Sequence, residues 1–171
     1  FGRMLKESQQ WARLIECDRI PLLNKYIESN RVMDLVNMCE SKHNNMLSEL
    51  GQIIKDNIDN IKIIAIAGPS SSGKTTFSHR LRIELLSRGI KPVKISIDDY
   101  YLDRNQAPKD EYGNPDLEHI EALDLELFNQ HLLALIQGEE VQLPHFDFKI
   151  GKRVPGEKIR IDEHSPIIIE G

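Results

Sequence analysis

The hydrophobic pattern of this chain changes period once, near residue 60. Before that point apolar residues recur every three to four positions. One segment carries Phe1, Met4, Leu5, Trp11, Leu14 and Ile15; a longer one carries Leu35, Cys39, Met46, Leu47, Leu50, Ile53 and Ile54. Pro21 separates the two, and a short helical stretch from Leu22 to Ile27 follows it. Residues 1–59 are therefore predicted to be helical throughout. From Ile61 the pattern alternates between strands and helices. The continuous apolar run Ile61–Ala67 predicts a buried strand. Thr75–Arg88 predicts a helix with Phe77, Leu81, Ile83, Leu85 and Leu86 inward, ended by Gly89. Pro92–Ile97 predicts a second strand, and the polar, Pro- and Asn-containing residues 103–117 a loop. A second amphipathic helix spans Leu123–Gln137, with Leu125, Phe128, Leu132, Leu133 and Ile136 inward, and Gly138 closes it. Extended pieces follow at Val141–Phe148 and Lys158–Asp162, and Ile167–Ile169 predicts a third core strand.

Strands alternating with helices predict an α/β fold with a parallel sheet and flanking helices, here preceded by an all-helical segment. The expected domains are 1–59, a helical extension ending a longer upstream domain, and 60–171, the first part of an α/β domain. Phe1 is no initiator, and Gly171 stops directly after a strand, so the chain reads as a piece of a longer protein. With 171 residues and 40% hydrophobic content, one sizeable core can be buried. The net charge of −5, with no lysine- or arginine-rich block, argues against general nucleic-acid binding without excluding it. Cys17 and Cys39 lack metal-type spacing and read as reduced thiols of a cytoplasmic protein. No apolar run reaches the length of a membrane span, and no signal-peptide pattern opens the chain. The amphipathic stripes of residues 1–59 must pack on something, so this segment is expected to be a helical unit docked on or beside the α/β part, with a homo-oligomer left open.

The most specific chemistry lies between the first predicted strand and helix. Gly68-Pro69-Ser70-Ser71-Ser72-Gly73-Lys74-Thr75-Thr76 fits G-x-x-x-x-G-K-[ST]. The glycines let the backbone turn and present consecutive N–H groups to a polyphosphate. Lys74 can reach the β/γ-phosphates, the Thr75 hydroxyl can ligate Mg²⁺, and the following helix turns its positive end to the same anion. This motif predicts binding of a nucleoside triphosphate with Mg²⁺.

In open α/β sheets, ligands bind outside the carboxyl ends of the strands. The first strand runs into the phosphate loop, the second into Ser96-Ile97-Asp98-Asp99-Tyr100-Tyr101, and the third into Glu170-Gly171. Phosphoryl transfer to an alcohol needs a carboxylate near the acceptor hydroxyl and acidic support for Mg²⁺. Asp98 fits the first role. Glu170, at the end of an apolar strand, fits the second.

At these residues the chain resembles the uridine kinase and phosphoribulokinase family of P-loop kinases. The resemblance runs from about Lys62 to Gly171 and rests on GPSSSGKTTF, SIDDYY, LEHIEALD, LPHFDF and IIIEG in that order. It looks nearest to long uridine kinase-like proteins whose N-terminal extension is similar to part of threonyl-tRNA synthetase, with residues 1–59 similar to the helical end of that extension. The resemblance implies ATP bound at Gly73, Lys74, Thr75 and Thr76, and Asp98 as the base that receives the acceptor hydroxyl's proton. It implies Tyr101 lining the acceptor site, Glu118 on the ribose hydroxyls with Asp116 as a neighbouring candidate, and Glu170 holding Mg²⁺ through water.

Two positions depart from the family pattern. Where uridine kinases carry an aromatic hydroxyl and a histidine that read the base, this chain has Phe146 and Gly151. His145 is one residue from the first position and would face the other side of a strand. A polar pocket discriminates by leaving its own groups unpaired with the wrong ligand, so losing two such groups points away from a dedicated uridine site. The leading reading is a kinase that moves the ATP γ-phosphoryl group to a hydroxyl of a nucleoside or another small polyol. A kinase of a sugar phosphate or other small alcohol stays open, as does a nucleotide-dependent, RNA-associated regulator.

Overall fold

The computed structural model describes residues 2–117 and 119–171. Their backbone divides between Met46 and Leu47 into two compact units. The first unit holds helix α1 (Gly2–Leu14), helix α2 (Ile20–Glu28) and the beginning of α3 (Val32–Asp56). Pro21 sits in the first turn of α2, where its missing N–H breaks no helical bond. Among its described residues none is buried: Trp11 and Ile15 are half covered, and Leu14 is 79% exposed. The apolar stripes of its described residues are therefore largely exposed. Lys42 stacks its ammonium 4.1 Å from the centre of the Trp11 ring.

The second unit begins within α3, whose last turns bury Leu47, Gly51 and Ile54. It continues as β1 (Ile63–Ile66), α4 (Lys74–Ser87), β2 (Val93–Ser96), α5 (Leu125–Ile136), β3 (Val141–Asp147), β4 (Lys152–Ile159) and β5 (Ile167–Glu170). β1, β5 and β2 form a parallel sheet with β5 in the centre. All four residues of β5 are buried, which explains its unbroken apolar run. β3 and β4 pair as an antiparallel hairpin.

The sheet has a core on each face. Ile95, Ile167 and Ile169 pack with Tyr100, Leu132 and Leu135 on one side. Ile168 packs with Leu47, Ile54, Leu81 and Leu85 on the other. Period 2 along β5 sends its residues alternately to the two cores. Two expected helix faces shift. In α4, Leu81 and Leu85 are fully buried, whereas Ile83 is 49% exposed. In α5 the buried pair is Leu132 and Leu135, with Leu125, Leu133 and Ile136 outward. An i, i+3 pair lies on one helix face, and an adjacent residue such as Leu133 cannot share it. The second extended piece starts earlier than the pattern suggests, at Lys152, because the hairpin turn at 148–151 is short.

The register aligns the functional ends of the strands. Ile66, Glu170 and Ser96 stand side by side at the carboxyl ends of β1, β5 and β2. Just past that row lie the phosphate-loop segment, a 3₁₀ turn at Ile97–Tyr100, and Gly171. A Cβ on Gly171 would come 2.8 Å from the Ile97 Cβ, so this strand end approaches the turn as closely as glycine permits.

Candidate active site

The loop 68–73 leaves β1 and enters α4 through Gly73, the helix N-cap at φ +85°. No side chain caps this helix, so its first amide N–H groups are not taken by a capping oxygen. Ser71 also adopts a left-handed conformation, at φ +58°. Lys74 turns back over the loop and donates from Nζ to the carbonyls of Gly68 at 2.9 Å and Pro69 at 3.2 Å. Pro69, Ser70, Ser72 and Thr76 are exposed along the same segment. The left-handed turns at Ser71 and Gly73, the uncapped helix N-terminus and the lysine together fit a polyphosphate.

Thr75, in the first turn of α4, donates from Oγ1 to Glu170 Oε2 at 2.9 Å. The other oxygen of Glu170 receives Lys94 Nζ at 2.8 Å. Glu170 is only 6% exposed. A hydroxyl and a carboxylate side by side are the hard oxygen donors that suit Mg²⁺, so this pair fits the metal expected with ATP.

Asp98 and Asp99 lie in the 3₁₀ turn that follows β2. Asp98 is exposed, whereas Asp99 is half buried. Asp99 Oδ1 accepts from the Phe146 N–H at 3.1 Å and meets His145 Nδ1 at 2.9 Å. It thereby ties the turn to the hairpin. Further ties come from Arg153, whose N–H donates to Asp103 Oδ1 at 2.9 Å and whose guanidinium meets Asp124 Oδ2 at 2.8 Å. Tyr100, between the two acids and the core, bonds His131 Nδ1 at 3.1 Å. Burial raises the Tyr100 hydroxyl pKa well above its ordinary value, and the charge of Asp99 adds to that. It acts as a fixed neutral group.

Tyr101, Phe146 and Phe148 form an aromatic cluster, with Tyr101 and Phe146 centroids 5.5 Å apart and Phe146 and Phe148 5.0 Å apart. Phe146 is buried and Phe148 half exposed. His145 points to the other face of β3, to Asp99, and does not join the cluster. Gly151, at φ +64°, supports the side chain of Arg104: a Cβ there would lie 2.4 Å from Arg104 Cδ. Arg104 also donates from Nη2 to the Phe148 carbonyl at 2.7 Å. A guanidinium therefore covers the position at which the family pattern suggested a histidine. Asp116 is half buried, its N–H donating to the Pro108 carbonyl at 2.7 Å. Glu118 lies outside the described residues.

The profile of the phosphoribulokinase/uridine kinase family matches residues 63–171. The chain belongs to the phosphoribulokinase/uridine kinase family. Among relatives in this family, a uridine kinase of Brevibacillus brevis is 36% identical over 109 residues, covering 64% of this chain and 50% of its own. A uridine kinase of Halobacterium salinarum is 30% identical over 108 residues, covering 63% and 46%. The chain thus spans about half the length of the curated relatives it matches. A solved structure from Bacillus stearothermophilus, described as a possible uridine kinase, superposes with TM-score 0.60 at 22% identity, covering 76% of this chain and 71% of that one. It shares the fold. A Silicibacter protein, provisionally assigned as a kinase of a fructose transport system, superposes with TM-score 0.57 at 26% identity, covering 73% and 62%.

Two residues of this family member are not evident from the sequence pattern. Lys94 sits inside a strand, and only the sheet register reveals that it meets Glu170. Asp99 reads as a turn cap beside Asp98, yet its partners come from the hairpin, 46 and 47 positions away. Alternation along β2, with Ile95 inward and Lys94 opposite, is the one available signal for the lysine.

Proposed function

We propose that the protein to which this chain belongs is an ATP-dependent kinase that transfers the γ-phosphoryl group to a hydroxyl of a nucleoside or closely related small polyol. The observation that carries this reading is the contact of Thr75 with Glu170 directly beside the loop 68–73. It unites a polyphosphate cradle and a pair of hard oxygen donors at the carboxyl ends of three parallel strands. The family and its uridine kinase relatives support the same reading.

In this reading the backbone of Gly68, Pro69, Ser70, Ser71, Ser72 and Gly73 and the first turn at Lys74, Thr75 and Thr76 hold the ATP phosphates. Lys74 releases its two carbonyl contacts and turns to the β/γ-phosphates. Thr75 and Glu170 would hold Mg²⁺, which would neutralise charge on the phosphates. Asp98 accepts the proton of the acceptor hydroxyl at its carboxylate, Tyr101 lines the acceptor side with Phe146 buried against it, and Asp116 and Glu118 are the further acids proposed for the acceptor. His145 acts there only indirectly, by steadying Asp99. Asp98, and the acids proposed around the acceptor, favour a kinase over a nucleotide-dependent regulator, which needs no base beside a hydroxyl. Such an enzyme works in the cytoplasm; among the described residues no helix is long and apolar enough to cross a membrane. Residues 1–59 would be the helical end of a threonyl-tRNA synthetase-like extension, supported by the three helices found there.

A second reading keeps the kinase chemistry but gives it a non-nucleoside acceptor, such as a sugar or another small alcohol. Phe146 lacks a hydroxyl, and Gly151 is covered by Arg104. The likeness to the Silicibacter protein favours the same alternative. An ATP-consumption screen of the full-length protein against nucleosides, sugars, sugar phosphates and short alcohols separates the two. Turnover with none of them would contradict both.

A further inference from the structure

Lys94 occupies an unusual place for a strand lysine. Ile95, the next residue along β2, turns into the core with Ile167 and Ile169. Lys94 therefore turns to the opposite face of the sheet, the side on which Ile168 packs against α4. There its ammonium meets Glu170 Oε1 at 2.8 Å, with side-chain exposures of 29% and 8%. Glu170 Oε2 is bonded by Thr75 Oγ1 at 2.9 Å. Both oxygens of a buried carboxylate are thus assigned, one to a cation of the chain and one to a hydroxyl.

We propose that Lys94 is a positioning residue that holds Glu170 by one oxygen, leaves the other facing Thr75, and thereby sets how strongly nucleotide binding depends on Mg²⁺. The proposal rests on the nucleotide site assigned to residues 68–76 and Glu170. A lone carboxylate buried beside a polyphosphate would repel it, because both are anionic and the surroundings are poorly screened. Lys94 cancels that charge without any metal. Free ATP then meets a site in which Lys74 attracts it and Glu170 is already neutralised. A divalent ion, in turn, meets a carboxylate whose attraction is shared with an ammonium. Removing Lys94 reverses both terms: metal-free ATP is repelled by Glu170, and Mg²⁺ is drawn to it more strongly. A lysine that only stabilised the fold would not produce opposite changes, since loosening the site weakens both forms of the ligand together.

The test is calorimetry on the full-length protein with ATP in EDTA and with ATP in saturating Mg²⁺. For Lys94→Met, the ratio of metal-free to magnesium-bound dissociation constants should rise by roughly tenfold, the scale of a hydrogen bond to a charged group. Lys94→Arg keeps the charge and should leave the ratio within about threefold of the unsubstituted protein. Should Lys94→Met fail to fold, the double variant Lys94→Gln/Glu170→Gln buries no lone charge and carries the test. Its metal-free ATP affinity should stay within about threefold of the original, because the lost cation and the lost acid offset one another. An unchanged ratio in Lys94→Met, or equal weakening of both ligands, overturns the proposal while leaving the nucleotide site intact. A large loss of metal-free binding in the double variant overturns it too, since Lys94 would then act on phosphate directly. If the unsubstituted protein binds ATP in neither condition, the nucleotide site itself is wrong, and this proposal falls with it.

Discussion

Thr75 Oγ1 donates a 2.9 Å hydrogen bond to Glu170 Oε2 across 95 residues of sequence. One residue opens α4 and the other closes β5, so the bond fixes the phosphate-loop helix against the central strand. Thr75→Ala removes a proposed metal donor and leaves the pairing of Glu170 with Lys94 in place. Binding of magnesium-bound ATP should weaken by about tenfold, the scale of a charged hydrogen bond, with metal-free ATP affected far less. Calorimetry with and without Mg²⁺ measures the difference, and equal weakening of both would place the metal elsewhere.

Asp98 should matter for chemistry and hardly for nucleotide binding. General-base assistance is worth about 10²–10⁴ in rate. Asp98→Asn in the full-length enzyme should lower turnover by that scale and leave the ATP dissociation constant nearly unchanged. Turnover surviving within a few-fold would make Asp98 part of the turn alone and assign the base to another residue.

Asp99 predicts a different signature from its neighbour. It accepts from Phe146 N–H and contacts His145, so it holds the 3₁₀ turn against β3. Asp99→Ala should cost about 1–2 kcal/mol of stability through the orphaned Phe146 amide. Hydrogen exchange at Phe146 should speed up, whereas ATP affinity should not change. Unaltered exchange there would show that β3 holds its place without this contact.

Much of this architecture could be read from the chain. Unbroken apolar runs announce the strands before the phosphate loop and before Glu170, and the phosphate-loop motif and Gly89 bracket the helix between them. Strand order could not be read, because nothing local to Ile167–Glu170 says that it pairs with both β1 and β2. Lys94 was hidden for the same reason: its partner is chosen by register. The β3–β4 pairing is obscured by Pro144 and Pro155, which face each other across the hairpin and break the apolar alternation. In the helices, a stripe limits which residues can be inward without choosing among them. Leu133 and Leu135 are equally apolar, and only packing decides for Leu135.

Acid should weaken the second unit in two stages. His131 is half buried against Tyr100, and burial, helped by Arg153, lowers its pKa. A histidine lowered on folding stabilises above its unfolded value, and that contribution is lost as pH falls from about 6.5. Asp124 caps α5 through the Leu127 N–H and pairs with Arg153. Burial opposes its charge, but the Leu127 bond and Arg153 outweigh it and hold its carboxyl below the usual range. Its contribution is present above its unfolded value and is lost as pH falls below about 3.9. Asp124→Ala should cost about 1–2 kcal/mol at neutral pH, the scale of an N-cap, and less at pH 3. Denaturant titrations at both pH values check it; an equal cost at both would remove the charge from the account.

The acceptor should be chosen by its hydroxyl-bearing part more than by a base. Phe146 is buried among Tyr101 and Phe148, and Arg104 covers Gly151. A site built to use a hydrogen bond rejects the analogue lacking it by about 10⁴–10⁵, and the proposed acceptor site lacks both expected groups. Competition among uridine, cytidine and a simple ribose derivative should show no strong preference. A uridine preference above roughly a thousandfold would mean that another residue reads the base.

The central claim is that residues 68–76 hold the phosphates of ATP, with Lys74 as the main side-chain contact. Lys74 now bonds the Gly68 and Pro69 carbonyls of its own loop, and those residues are exposed, so their oxygens can turn to water when it is gone. Lys74→Ala in the full-length protein should therefore keep its melting temperature within a few degrees. Its affinity for magnesium-bound ATP should fall by about tenfold or more, because charge-assisted bonds to phosphate are the strong ones in such a site. Titration calorimetry of the two proteins side by side measures this directly. A folded Lys74→Ala variant that binds ATP as tightly as the unsubstituted protein would contradict the account.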